Sequence, residues 1–358
     1  MSVFTRMYRG ETRFDFVAIS RKTLIVSAAL VAVSLLLLLV RPLNLSIDFT
    51  GGVIVTVQNE ADADITEVRS ALAGIGQAGA RVQLTGEGYI LIQTESLDSN
   101  AQDLLVLTAA EVAGTDVNEV TLDAVGPTFG AEVTHAAIQA LVVFLFIVAL
   151  FITWRFEWKM ALTALAALFH DLAITAGLFA AVGFSVTPAT VIALLTILGY
   201  SLYDTVVVFD KVTENVDLMH DRYTYTDIVN TSMNQVLMRS INTSLTSLLP
   251  VGSLLFVGSL AFGAETLKEF ALALFIGIAI GTYSSIFVAA PLLALWKERE
   301  EEWILAGKRA QRRRGGAVPV PVAAEVEPVA AAPVVPPPVS QTQGGAAARA
   351  PRKRKKRR

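Results

Sequence analysis

Residues 23–40 read TLIVSAALVAVSLLLLLV, an apolar run without a charged side chain. A helix must present about 20 mainly apolar residues to cross the hydrocarbon core of a bilayer, which is about 30 Å thick. The run follows the basic pair Arg21 and Lys22, as the apolar part of a signal peptide would. No small-x-small cleavage site comes after it, because the chain continues as RPLN, so we predict a retained transmembrane anchor.

Five further apolar runs are long enough to span a bilayer, so the sequence predicts six transmembrane helices. The chain of 358 residues is 53% hydrophobic and only 17% charged, whereas soluble domains carry about 25% charged residues. It has no cysteine, which excludes disulfides, thiolate nucleophiles and cysteine-ligated metals. The further runs lie near residues 135–154, 160–182, 189–209, 241–261 and 270–296.

Lysine and arginine fall on one side of the six predicted spans, which predicts the orientation of the chain. The segment 41–134 has three arginines and fourteen acidic residues, so we place it outside the cytoplasm and both termini inside. The basic residues on the cytoplasmic side are Arg6, Arg9, Arg13, Arg21, Lys22, Arg155, Lys159, Lys211, Arg222, Lys297 and Arg299.

These boundaries divide the chain into five predicted segments. They are a cytoplasmic N-terminal segment (1–22), the first span (23–40), an extracytoplasmic domain (41–134), spans two to six with a cytoplasmic loop at 210–240 (135–296), and a disordered cytoplasmic tail (297–358).

The tail ends in a basic cluster. Residues 315–350 are mostly Pro, Ala, Val, Gly and Gln, a composition that cannot build a core. Residues 351–358 read PRKRKKRR, and we expect this cluster to attract anionic membrane lipid. A contact with RNA or a ribosome is the less favoured alternative, so no specific nucleic acid partner is predicted.

The extracytoplasmic domain is predicted to be small, with alternating strands and helices. Val53, Val55 and Val57 alternate with polar or small residues, as in a half-buried strand. Helix-like runs at 64–73 and 100–113 and strand-like runs at 81–84, 89–93 and 117–125 complete a β-α-β-β-α-β order. The predicted fold class is therefore an α-helical polytopic membrane protein with a small α+β, ferredoxin-like extracytoplasmic domain.

Ionisable residues inside the predicted spans are the strongest functional signal, because such residues are costly in lipid and rarely face it. Asp204 lies inside the fourth span, and Arg239 stands where the fifth is predicted to begin. A protonatable carboxylate near an arginine can gate a coupling ion; the alternative is a pair that only stabilises helix packing.

Further polar residues in the spans could form a relay. His170 and Asp171 lie within the third span, and Thr243 and Ser247 follow Arg239 at helical spacing. For His170 and Asp171 a functional and a structural role are equally open.

Five short motifs occur in order along this topology. They are IDFTGG at 47–52, VGPTFG at 125–130, FHD at 169–171, GYSLYDTVVVFDKVTEN at 199–215 and RSINTS at 239–244. Together they resemble the motifs of the SecD/SecF family of protein-export membrane proteins, within the RND superfamily. The short extracytoplasmic domain favours the SecF branch. Asp48, Gly51, Gly52, Gly126, Pro127 and Gly199 are the motif positions carried over, and Tyr203 departs from the smaller polar residue expected there.

The resemblance implies an RND-type half of an accessory motor in the bacterial cytoplasmic (inner) membrane. The motor would use the proton gradient, or a sodium gradient, to promote export beside the SecYEG channel. Asp204 would carry the proton and Arg239 would respond to its charge. Expected partners are SecD, SecYEG, YajC, YidC and the exported unfolded polypeptide. No catalytic residue, metal or cofactor is implied beyond the coupling ion, H+ or Na+.

Two other functions compete with export. An RND-like transporter half for a small molecule or lipid would share the intramembrane aspartate, but would be expected to have a larger outer domain. A non-transporting assembly factor would use the same charges only for structure. No Walker A pattern is present, so ATP handling and an enzymatic role are not expected.

Overall fold

The computed structural model of the chain describes residues 12, 14–85, 88–220, 222–258 and 265–314. Its helices are, in chain order, α1 (Phe16–Val40), α2 (Ile47–Thr50), α3 (Ile65–Gly74), α4 (Ser99–Ala113), α5 (Pro127–Arg155), α6 (Trp158–Val182), α7 (Pro188–Met219), α8 (Tyr225–Ser253), α9 (Glu265–Ser284), α10 (Ala290–Lys297) and α11 (Glu301–Arg314). Its strands are β1 (Asn44–Leu45), β2 (Gly52–Gln58), β3 (Arg81–Leu84), β4 (Tyr89–Thr94), β5 (Thr121–Val125) and β6 (Ser185–Val186).

Six helical stretches within the described residues are long and apolar enough to cross a membrane, as predicted. They are α1, α5, α6, α7, α8 with the π-helical turn Leu254–Gly258 that continues it, and the stretch Lys268–Lys297, in which the π-helical turn Ser285–Ala289 joins α9 to α10. Of the most apolar 18 residues in each span, 50% are buried in α6 and 56% in Lys268–Lys297. In α1, α5 and α8 the buried share is only 11%. The sixth span and α6 therefore form the centre of the bundle.

Small residues let the central helices approach closely. A Cβ atom added at Gly277 would lie 2.2 Å from the side chain of Ile197, and one added at Gly281 would lie 3.0 Å from Cβ of Ser201. The Gly277 and Gly281 pair thus packs α9 directly against α7, in the manner of small-xxx-small contacts between membrane helices.

The domain between α1 and α5 has the predicted β-α-β-β-α-β order. Its sheet is antiparallel with strand order β3-β4-β2-β5. Asp64 and Asp98 accept hydrogen bonds from backbone N–H groups in the first turns of α3 and α4, which caps both helices. Val53, Val55 and Val57 are buried under these helices. The last strand begins at Thr121, because Val117–Glu119 forms a 3-10 turn where strand was predicted.

The segment 210–240, predicted as a cytoplasmic loop between two spans, is mostly helical. Helix α7 continues to Met219 and α8 begins at Tyr225, so Arg239 lies well inside α8 rather than at its start. The side-chain amide of Asn215 joins the two helices by donating to Ser232 at 2.7 Å and to Gln235 at 2.8 Å. Hydropathy predicts only where the apolar part of each helix ends. The hydrogen bonds of Asn215 join the polar parts of α7 and α8 beyond that point.

The start of the tail predicted as disordered at 297–358 is also ordered. Helix α11 spans Glu301–Arg314, and Trp303 on it is only 3% exposed. The ring of Trp303 packs 4.8 Å from both Tyr225 and His220, which gives this short segment a buried face. Residues 315–358, including the basic cluster at 351–358, lie outside the described residues.

Candidate ion-coupling site

The motif at 47–52 joins the domain to the membrane helices. Gly51 and Gly52 have φ angles of 70° and 132°, which favour glycine. A Cβ atom on Gly51 would lie 2.8 Å from Cα of Pro127, and one on Gly52 would lie 2.3 Å from the carbonyl oxygen of Thr94. Asp48 accepts a hydrogen bond from the Ser46 hydroxyl at 2.9 Å. The two glycines are thus required by close backbone packing against β4 and the start of α5.

The second motif begins α5 against this joint. Gly126 caps α5 and Pro127 occupies its first turn, where a missing N–H costs nothing. A Cβ atom added at Gly130 would lie 2.7 Å from the carbonyl oxygen of Phe49. The motifs at 47–52 and 125–130 therefore form one packed junction. Gly199, by contrast, has open space where a Cβ atom would be, so packing does not explain it.

Asp204 is buried in the membrane-spanning part of α7. The residue is 2% exposed, and its Oδ2 atom has no hydrogen-bond partner among the described residues. Burying a carboxylate without such partners is costly in any protein interior, and more so in a membrane.

The predicted pair of Asp204 and Arg239 is not in direct contact. Arg239 donates a hydrogen bond from Nη2 to the hydroxyl of Tyr203 at 3.1 Å. Within the described part of the chain no ion pair joins Arg239 to Asp204. In this structure the guanidinium therefore bonds the tyrosine next to Asp204 rather than the carboxylate itself.

His170 and Asp171 form a separate buried cluster on α6. Asp171 accepts hydrogen bonds from the hydroxyls of Ser201 at 2.6 Å and Ser284 at 2.8 Å. Nδ1 of His170 lies 3.0 Å from the other carboxylate oxygen of Asp171, and the imidazole stacks on Tyr283. The Nε2 atom of His170 is buried without a partner in the described chain. Asp171 thus connects α6, α7 and α9 at one point.

Further hydroxyl groups of α7 and of the π-helical turn Ser285–Ala289 bond one another beside this cluster. Ser285 donates to the carbonyl oxygen of Ser201 at 3.2 Å, and its hydroxyl lies 3.1 Å from that of Thr205. Thr205 is the neighbour of Asp204. The sequence analysis did not identify four of these residues as functional candidates: Ser201, Thr205, Ser284 and Ser285. Hydroxyl groups inside apolar spans are the sequence feature that could have identified them.

The other predicted relay residues lie in a different cluster. The hydroxyl of Tyr200 donates to the backbone oxygen of Thr243 at 2.6 Å and also bonds the hydroxyl of Ser247. The hydroxyl of Thr243 donates to the backbone oxygen of Arg239 at 2.8 Å. The predicted relay of His170, Asp171, Thr243 and Ser247 therefore divides into two groups, which no hydrogen bond between described residues joins. No cluster of three or more His, Asp or Glu side chains suited to a metal occurs among the described residues.

These features define a multi-pass membrane protein with a small α+β domain between its first two spans and buried carboxylates at the bundle centre. The family model "Protein export membrane protein SecD/SecF, C-terminal" matches residues 106–299, and "SecD/SecF GG Motif" matches residues 36–59. The chain belongs to the SecF family of protein translocase subunits, which support protein export.

Individual relatives cover most of the chain. It is 40% identical to the protein translocase subunit SecF of Streptomyces coelicolor over 87% of this chain and 85% of the relative. It is 41% identical to SecF of Mycobacterium tuberculosis H37Rv over 89% of this chain and 75% of the relative. The crystal structure of SecDF from Thermus thermophilus, described as translocon-associated, matches 81% of the chain with a TM-score of 0.73 at 35% identity. This chain spans 39% of that SecDF chain.

Proposed function

We propose that the chain is one half of a membrane motor that couples an ion gradient to protein export, with Asp204 as the ion-carrying group. The observation that carries this proposal is the burial of Asp204 without a hydrogen-bond partner for Oδ2 in the described chain. A carboxylate in such a place is stabilised by binding a proton or by the approach of a cation. The coupling ion is H+ on this proposal, with Na+ as the alternative.

Arg239 supplies the cation that responds to the charge of Asp204. In the present arrangement it bonds Tyr203, one residue along α7. When Asp204 loses its proton, the carboxylate attracts the guanidinium, and α8 shifts against α7. When the proton returns, Arg239 goes back to Tyr203. Moving one charge across 100 mV supplies about 2.3 kcal/mol, enough to bias two states of the bundle.

The partner that completes the motor is SecD. Arg239, Asn242 and Thr246 are exposed on one face of α8, within a membrane-crossing helix. Polar groups on such a face are too costly to meet lipid, so a second protein surface or a water-lined interface covers it. This chain spans 39% of the SecDF chain of Thermus thermophilus, so that chain is long enough to contain such a second half.

The domain between α1 and α5 handles the exported unfolded polypeptide on the outer side of the bacterial inner membrane, beside SecYEG. The junction of Gly51, Gly52 and Pro127 passes movement from the helices to this domain.

Orientation with both termini in the cytoplasm rests on the distribution of lysine and arginine. YajC and YidC are further proposed partners, and the basic cluster at 351–358 is proposed to meet anionic lipid. The proposal gives the chain no enzymatic step and no cofactor.

Replacement of Asp204 by Asn in the complete complex tests the proposal. Gradient-driven completion of export is measured at normal membrane abundance, with co-purification of SecD as the check on assembly. Asp210→Asn is the matched control, because Asp210 lies on the same helix in an exposed pair with Arg155. We expect D204N to lose coupled export and D210N to retain it. Unchanged export in D204N would refute Asp204 as the ion carrier.

A further inference from the structure

Helix α11 has one face fixed to the protein. Trp303 and Ala306 are 3% and 6% exposed, and the ring of Trp303 contacts Tyr225 and His220. Beside it, Nε2 of His220 lies 2.6 Å from a carboxylate oxygen of Glu302. The first half of α11 is therefore anchored on the turn between α7 and α8.

The opposite face of α11 is both apolar and basic. Ile304 and Leu305 are 44% and 50% exposed, and Lys308 and Arg309 are exposed one turn further along. Residues four apart share a helix face, so each apolar side chain is followed by a cation on the same strip. Neither Lys308 nor Arg309 has an ion-pair partner among the described residues. The sequence adds three more arginines at 312–314.

A series of aromatic contacts links the start of α11 to the ends of two membrane helices. Trp158 and Trp296 lie 5.4 Å apart at the ends of two membrane helices, with Lys159 over both rings. Lys297, the residue after Trp296, lies 5.8 Å from the ring of Tyr225, which in turn contacts Trp303. Tryptophan is enriched at the interface between lipid and water. These contacts connect α11 to those helix ends.

We propose that α11 lies on the bilayer surface and binds anionic phospholipid. Ile304 and Leu305 enter the boundary between headgroups and acyl chains, while Lys308 and Arg309 bind lipid phosphates. A strip of exposed apolar residues next to basic ones is the pattern of helices that lie in the membrane interface. The acidic residues of α11 are at its anchored end, so its free end offers positive charge to the negative lipid surface.

The absence of cysteine from the chain allows a direct test. The full chain with Leu305→Cys carries a single environment-sensitive label and is placed in bilayers of phosphatidylcholine, with or without phosphatidylglycerol. We expect quenching of the label by a water-soluble quencher to fall severalfold when phosphatidylglycerol is present. The double reversal K308E/R309E should remove this difference. No export activity is measured, so the result is independent of the proposed ion coupling.

The matched control is the double reversal R69E/R81E, which changes the net charge equally at exposed positions of the domain between α1 and α5. It should leave the lipid dependence of the Leu305→Cys label intact. Equal quenching of the label in both bilayers would overturn the proposal. If the label were protected equally in both and stayed protected in K308E/R309E, the protection would come from a protein contact rather than from lipid. Size-exclusion elution as a single folded species is required of every variant.

Discussion

Arg239 donates its hydrogen bond to the hydroxyl of Tyr203 at 3.1 Å, although the buried carboxylate of Asp204 is the next residue along the same helix. The SecD/SecF motif was expected to have a smaller polar residue at position 203. In this chain the tyrosine therefore gives the arginine a resting partner, which defines one state of the proposed coupling cycle.

Removing that partner should change coupling rather than folding. Tyr203→Phe leaves Arg239 without its acceptor, so the guanidinium spends more time near Asp204. A hydrogen bond of this kind contributes about 1 kcal/mol, so we expect about a fivefold shift in this balance. Gradient-driven export as a function of external pH is the measurement, and Tyr89→Phe in the outer domain is the control. A pH profile identical to that of the parent chain would contradict this role for Tyr203.

Asp171 should be important for the stability of the bundle. Asp171→Ala leaves the buried hydroxyl of Ser201 without an acceptor in the described chain and removes the partner of His170. It also removes one of the two acceptors of the Ser284 hydroxyl. Each buried donor left unpaired costs about 1–3 kcal/mol, so we expect a loss of several kcal/mol. Thermal unfolding in detergent measures it.

The control for Asp171→Ala is Asp210→Ala, which removes an exposed pair with Arg155. Such pairs contribute at most about 1 kcal/mol. If both variants lowered the unfolding temperature equally, the cluster around Asp171 would have no special structural role.

Gly52 should tolerate no side chain. Gly52→Ala places a Cβ atom 2.3 Å from the backbone oxygen of Thr94, at a φ angle of 132°. Gly76 also has a positive φ angle, 80°, but open space around it, so Gly76→Ala measures backbone strain alone, about 1–2 kcal/mol. We expect G52A to destabilise the protein clearly more than G76A in thermal unfolding. Equal effects would mean that the junction can move apart at no cost.

Glu300 should make stability depend on pH. Burial raises the pKa of its carboxyl, but hydrogen bonds and attraction from Lys159 and Lys297 outweigh burial and hold the pKa below its usual 4.5. A depressed folded-state pKa contributes stability above the unfolded value, and this contribution is lost as the pH falls through the folded value. The difference in unfolding temperature between the parent chain and Glu300→Gln should therefore be largest near neutral pH and shrink below pH 4.5.

Glu301→Gln is the control for this pH series, because Glu301 is the exposed neighbour of Glu300. It should leave the unfolding temperature nearly unchanged across the range. A difference between the parent chain and Glu300→Gln that stayed constant with pH would exclude the ion pairs as its cause.

The sequence by itself determined the features that depend on local pattern. The length of each apolar run predicts the six spans, because the thickness of the bilayer sets how many apolar residues a helix needs to cross it. Alternation at Val53, Val55 and Val57 predicts the strand β2, and helical spacing predicts the helices near 64–73 and 100–113. Asp204 and Asp171 were found as candidates because charge inside a span is costly wherever it occurs.

Only the tertiary structure decided which side chains meet. Arg239 bonds Tyr203, Asp171 gathers hydroxyls from two other helices, and Trp303 orders α11 on Tyr225. Each of these contacts depends on how a helix is rotated and shifted against its neighbours. Hydropathy has no information on that rotation, because a helix that is apolar around most of its surface can present several faces at nearly equal cost. Close contacts such as Gly277 on Ile197 set the rotation, and they exist only once the helices are packed.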